Sequence, residues 1–462
     1  MAEAAAAPPE PTAEQAQATM RSRGYVVLLV IAAVVGVIVS FAAWGFLELV
    51  YQIQQELFTH LPHAVGYAHG PPKWWYFPVL GIGALITAFA IAKLPGRGGH
   101  IPAHGLATGG PPIQGVELPG IMLAAIATLG SGLVLGPEAP LIALGSGLGI
   151  LLIRTARKDA PSQLTMVIGA AGAFAAVSLI FDSPLIAAVI LIEATGIGGA
   201  RLPLVVVPGL LAAGIGSLIS LGMGSWTGLS TSAFSLGVLQ LPKFARPDIA
   251  EFGWTIALAL AIAVLAQIVV RGGLGTLQVV TRRLLVLLPL VGLIVAGLAI
   301  AFTQSTGKSV NELLFSGQDQ LPGLVAQAGT WSLSALALLI AFKGVAYALC
   351  LGSFRGGPTF PALFLGAAGG IMCSHLAGFP ITPAVAVGMA AGTVAILRLP
   401  LSAVVIATLL TKNSGVGAEP LIIVGVVVCY VATLVLSSLW SERRAASPAG
   451  EAAPAGAAVA AS

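Results

Sequence analysis

Charge is scarce in this sequence. Of 462 residues only 8% are Asp, Glu, Lys or Arg, against about 25% in a typical soluble domain. Such a chain cannot clothe a globule of this size in water-compatible surface, so water-soluble classes are excluded. Cysteine is nearly absent as well. Cys350, Cys373 and Cys429 are far apart in apolar surroundings, which rules out a disulfide scaffold or a zinc ribbon and reads as buried small hydrophobes. His100 and His104 stand four apart but lack the Glu of H-E-x-x-H and a third ligand, so no metal and no other cofactor is expected. GxSxG and a pair of intramembrane catalytic aspartates are also missing, and the chain is not expected to be an enzyme.

What the sequence has is apolar length, glycine and proline: 57% hydrophobic residues, 58 Gly and 30 Pro. Runs long enough to span a bilayer occur at Gly24 to Val50, Trp75 to Ala92, Trp254 to Val270, Leu284 to Ala301 and Leu421 to Leu439. Between them lie shorter runs interrupted by Gly and Pro, the pattern of broken or re-entrant helices. The expectation is an all-α polytopic membrane protein, with 10 to 14 crossings at about 20 residues each. Residues 1–23 and 442–462, rich in Ala, Pro and Glu, are expected to be disordered tails. The net charge of +4 is concentrated at span ends and so reports orientation, not a nucleic-acid surface. Arg21 and Arg23 precede the first span, Lys93 and Arg97 follow the second, and Arg443 and Arg444 close the last. Both termini are therefore expected on the cytoplasmic side of a cell membrane.

The sequence repeats itself. GPEAPLIALG at 136–145 matches GPTFPALFLG at 357–366 in five of ten positions, and SPLIAAVIL at 183–191 matches LPLSAVVIA at 399–407 in five of nine. The same order at nearly the same offset implies a duplicated membrane region, 24–240 and 241–441, joined near QLPKFARPDIAE at 240–251. Duplicated halves with interrupted helices in corresponding places point to a transporter whose site lies where the halves meet.

At the first break, Pro140 is suited to open a helix after the turn at Gly136-Pro137. The N–H groups of Glu138, Ala139, Leu141 and Ile142 are then expected to point beyond the helix end, an arrangement that attracts anions. Glu138 can supply that anion itself. The second break, Gly357-Pro358-Thr359-Phe360-Pro361, repeats this start with Thr359 in place of the carboxylate. A third break, LPGRGGHIPAHG at 94–105, has Gly98 and Gly99 for close approach of backbone to a ligand, and Ile101-Pro102 as a helix opening. Glu193, at the end of an apolar run that starts near Pro184, is a candidate second proton stop. Arg201, Lys343, Arg355 and Arg398 stand at the edges of apolar runs, where snorkelling accounts for most of them; Arg355, just before the second break, is placed to draw anions inward.

With these residues in view, the sequence resembles the CLC family of chloride channels and proton-coupled chloride transporters. The resemblance rests on Gly98-Gly99-His100-Ile101-Pro102, Gly136-Pro137-Glu138-Ala139-Pro140 and Gly357-Pro358-Thr359-Phe360-Pro361 in that order, and covers roughly residues 24–440. It implies two inverted halves per subunit, one pore in each subunit, a homodimer, and chloride or a similar small monovalent anion as substrate, with protons as a second one. It also implies that Glu138 is a gating glutamate and that Gly98, Gly99, His100, Ile101, Pro102, Gly136, Pro137, Ala139, Gly357, Thr359 and Phe360 surround the anion; Glu193, by its place at the end of the apolar run, is the candidate for a proton relay on the inner side. The chain departs from the family where a serine hydroxyl would meet the anion, here Gly99, and where an inner glutamate is usual, here Ala194. A late tyrosine has no counterpart. The rival expectation is a cation-coupled solute carrier, which also uses duplicated broken helices.

Overall fold

The computed structural model describes residues 12–106, 112–229, 235–376 and 378–445. Nine α-helices of the described residues precede the join: α1 (Ala13–Met20), α2 (Arg23–Gln55), α3 (Leu61–Ala64), α4 (Tyr76–Lys93), α5 (Leu118–Gly130), α6 (Glu138–Ala156), α7 (Ser162–Ser178), α8 (Pro184–Thr195) and α9 (Leu202–Thr227). Eight follow it: α10 (Ile249–Val280), α11 (Leu284–Thr306), α12 (Gln320–Ala326), α13 (Leu333–Ser353), α14 (Thr359–Ser374), α15 (Ile381–Leu397), α16 (Pro400–Leu410) and α17 (Glu419–Ala445). Eight helical segments of the described residues are long and apolar enough to cross a membrane, and six apolar helices of 10–17 residues are shorter. The protein is a multi-pass membrane protein. The short helices are those the Gly and Pro breaks set off, which is why fewer segments cross unaided than the apolar length alone suggests.

The two halves pack alike. In the first, α6 lies so close on α7 that a Cβ at Gly145 would collide with the Gly172 backbone; in the second, a Cβ at Gly366 would collide with the Gly388 backbone of α15. Between helices in lipid, where apolar burial drives little, close backbone approach through small residues supplies the packing. Between the halves, an extended segment at 236–248 ties both: Leu236 N–H donates to the Ile180 carbonyl at 2.9 Å, and Leu239 and Phe244 donate to Leu410 and Ser414, each at 2.8 Å. The second half then starts at α10 with a capping box, Asp248 and Glu251 bonding each other's backbone N–H.

Two expectations are corrected. Part of the N-terminal tail is helical: Thr12 and Gln15 form a capping box at the start of α1, and Ala16 is buried. The remaining tail residues, 1–11 and 446–462, lie outside the described residues. Second, α6 and α14 start at Glu138 and Thr359, two residues before Pro140 and Pro361. Proline is tolerated there because the first-turn N–H has no intrahelical acceptor anyway.

Candidate functional site

The two Gly-Pro breaks meet. Gly136 N–H donates to the Gly357 carbonyl at 2.8 Å and Gly357 N–H to the Gly136 carbonyl at 2.5 Å, an isolated antiparallel bridge between the halves. The starts of α6 and α14 are thereby held side by side. Glu138 is 2% exposed, and its Oε1 accepts the backbone N–H of Thr359 from the other half. Its Oε2 and the Thr359 hydroxyl find no partner among the described residues. A Cβ at Gly136 or at Gly357 would overlap the Glu138 carboxyl group, so the missing side chains at both positions are what allow it to lie on the bridge. Phe360 stacks on Phe181, ring centroids 5.1 Å apart, and closes one flank.

Tyr347, fully buried on α13, donates its hydroxyl to the Pro358 carbonyl at 2.5 Å and so pins the second break. The sequence reading missed it. The available signal was its spacing four residues after Lys343, which puts two polar side chains on one face of an apolar helix. Lys343 does not snorkel as expected: it is 0% exposed, and its ammonium donates to the carbonyls of Glu312, Leu313, Leu314 and Phe315 at 2.9 to 3.4 Å, with the Phe364 ring 4.4 Å away.

Three cavities border these elements. One of about 50 Å³ opens toward the face where α2 ends, walled by Tyr51, Gln54, Pro137, Phe315 and Asp319 among others. Asp319 opens to water there, yet the burial around it pushes its carboxyl up to about 7. A small central cavity of about 10 Å³ is walled by Gly98, His100, Ala139, Pro140, Arg355 and Gly356 together with apolar α5 and α6 side chains. On the side to which α4 returns lies a third, of about 440 Å³, with Pro102, His104, Ala194, Gln267 and Arg398 in its wall. Successive residues of the breaks thus face successive chambers: Pro137 the first, Ala139 the second, with His100 the second and Pro102 the third.

The remaining predicted residues divide. Gly98 and His100 wall the central cavity. Gly99 does not appear in that wall, and its N–H donates to Gly96 at 2.7 Å within its own turn. At φ +84° the backbone of Gly99 is left-handed and a Cβ would press on Ile121, so no serine fits without rearrangement. His100 Nε2 bonds the Gly105 carbonyl at 2.8 Å, which requires the N–H on Nε2; burial holds the ring below its ordinary pKa. Ile101 and Pro102 open only a 3-10 turn, Pro102–His104. At α6 the N–H of Leu141 is taken by the Pro137 carbonyl at 3.0 Å, so that predicted donor is spent inside the helix start. Glu193 lies apart at the end of α8. Its carboxylate accepts the Leu401 and Ser402 N–H groups at 2.8 and 2.7 Å and the Ser402 hydroxyl at 2.6 Å, capping α16. Among the described residues no group of three or more His, Cys, Asp or Glu side chains is placed to hold a metal ion.

The chain as a whole is similar to known proteins. A model of the family described as voltage gated chloride channel matches residues 83–436. The putative ion-transport protein YfeO of Salmonella schwarzengrund is 29% identical over 361 residues, covering 76% of this chain and 81% of that protein. Among solved structures, a slow cyanobacterial Cl−/H+ antiporter superposes with a TM-score of 0.73 at 20% identity, covering 91% of this chain and 99% of that one. A CLC-type fluoride/proton antiporter superposes with a TM-score of 0.65 at 17% identity, over 88% and 96% of the two chains.

Proposed function

The chain belongs to the voltage gated chloride channel family, and from that premise we propose that it carries chloride or a similar small monovalent anion through each subunit, with Glu138 as gate. One observation carries the reading: the Glu138 carboxyl, at the start of α6, takes the backbone N–H at the start of α14. Helix starts carry partial positive charge and unpaired N–H donors. A carboxylate seated there occupies what a halide would occupy, so the two exclude each other. Protonation weakens the carboxyl's hold on an N–H donor and frees the place for an anion. The polarity also favours this reading over a cation-coupled carrier, since a sodium ion needs carbonyl oxygens, which helix ends present and helix starts do not. The work is translocation, with no bond made or broken in the cargo.

In this reading the carrier exchanges anions for protons, with Glu138 on one side and Glu193 relaying on the other, and the subunits pair as a homodimer with both termini cytoplasmic. The support for the orientation is the distribution of Lys and Arg. Reconstituted vesicles with simultaneous chloride and pH recording test it. Glu138→Gln, a neutral mimic of the protonated gate, should conduct chloride with no coupled proton movement; proton movement that stays coupled to chloride flux in this variant removes Glu138 from the gate. Glu193→Gln should stop proton movement while chloride flux continues. Unchanged proton transport would leave Glu193 as the cap of α16 alone.

A further inference from the structure

We propose that Arg355 is a direct ligand of the transported anion, so that the central cavity is a fixed-charge site for one small monovalent anion. The inference rests on the anion-transport reading and adds the ligand that its helix starts lack. Arg355 is 6% exposed. Its backbone N–H reaches the Thr128 hydroxyl at 3.4 Å, and one terminal nitrogen donates to the Phe354 carbonyl at 3.0 Å. Its Nε finds no partner among the described residues, and no carboxylate among them pairs with it. A guanidinium keeps its charge at any physiological pH. A buried charge without a counter-ion is expensive, and proteins keep one where something else supplies the opposite charge.

The cavity beside it is suited to that something. Its volume is about 10 Å³, room for roughly one water-sized body. Ala139, one of the first-turn residues whose N–H has no intrahelical acceptor, forms part of the wall, as do Gly98 and Gly356. At Gly98 a Cβ would lie 3.1 Å from Arg355 Cγ, so the glycine makes room for the arginine stem. His100 borders the same space, but its ring N–H is committed to Gly105. Arg355 is therefore the charged donor available, and it fills the part that the left-handed, side-chain-less Gly99 leaves open.

Calorimetric titration of the purified full-length protein with sodium chloride and with sodium fluoride, at constant ionic strength in gluconate, tests this. Arg355→Gln should weaken binding of the preferred anion at least tenfold, and Arg355→Lys should keep most of it. In gluconate alone Arg355→Gln should melt no lower than the wild type, because the unpaired charge is a folding liability. Adding the anion should raise the melting temperature of the wild type and not that of Arg355→Gln. Wild-type affinity in Arg355→Gln, or a large loss of stability in gluconate including failure to fold, overturns the assignment. If the wild type moves no anion in vesicles, the transport reading fails; if Arg355→Gln transports with unchanged affinity, only the role of Arg355 fails.

Discussion

Tyr347 shows how much a single hydroxyl can organise. It reaches across from α13 to the carbonyl of Pro358, the residue that precedes the N–H taken by Glu138. Removing the hydroxyl leaves that buried carbonyl without this donor, which costs about 1–3 kcal/mol. Tyr347→Phe is expected to lower the melting temperature accordingly and to raise the leak of anions through the closed gate, because the Thr359 N–H is no longer held in place. A leak equal to that of the wild type in vesicle flux would show that Pro361 and the Gly136–Gly357 bridge suffice. At this scale the sequence was legible where backbone chemistry decides: Gly136, Glu138, Gly357 and Thr359 were marked by Gly, Pro and a lone carboxylate, and they converge. It was illegible where a side chain acts over distance. Nothing in KGVAYALC says that Lys343 and Tyr347 face loops thirty residues upstream and eleven downstream, since helical spacing gives a face and not the identity of what covers it.

Among the elements, α13 does double service. Its Tyr347 fixes one break, while its Lys343 holds four consecutive carbonyls of the segment that follows α11 and precedes α12. An ammonium among carbonyls acts there as a bound cation would, and Phe315, at φ +60°, sits in the backbone conformation that this convergence demands. Lys343→Met is expected to cost roughly 3 kcal/mol or more, since several buried carbonyls lose their donor together. Limited proteolysis should then cut first between residues 307 and 320, next to the cavity that contains Phe315 and Asp319. Cleavage spread evenly over all loops would instead mean a general loss of stability. The start of α8 at Pro184 was readable in advance, because prolines are local signals, while α6 and α14 start two residues before theirs. The helix in the N-terminal tail was readable from Thr12 and Gln15 and was overruled by composition. That α6 lies on α7, and α14 on α15, through paired glycines could not be read, because a glycine looks the same in a turn as in a helix contact.

On the scale of the whole molecule, duplication was visible in two short matches, and it explains why two breaks exist at all; their direct hydrogen bonding is a product of three-dimensional closure that no local pattern encodes. The same closure sets Asp319 in the wall of the cavity beside Pro137, where its charge would be met by an anion approaching from the face where α2 ends. Burial pushes its carboxyl up to about 7 from the ordinary 3.8. A folded-state value above the unfolded one means that the native protein holds a proton the unfolded chain releases, so the contribution to stability is most favourable at low pH and declines as pH rises through that window. Asp319→Asn should therefore melt above the wild type near pH 8, and the two curves should converge as the pH falls toward the ordinary carboxylate range. Transport has the same sign. Above neutrality the ionised side chain repels an incoming anion at short range; below it the side chain is neutral, so chloride entry from that side should slow as pH rises through about 7 and the asparagine variant should lose that part of the profile. The gate at Glu138 titrates as well, so the decisive comparison is Asp319→Asn in the Glu138→Gln background, where the gate no longer binds protons. A residual pH dependence that disappears in the double variant belongs to Asp319, and one that survives in it assigns that proton to another group.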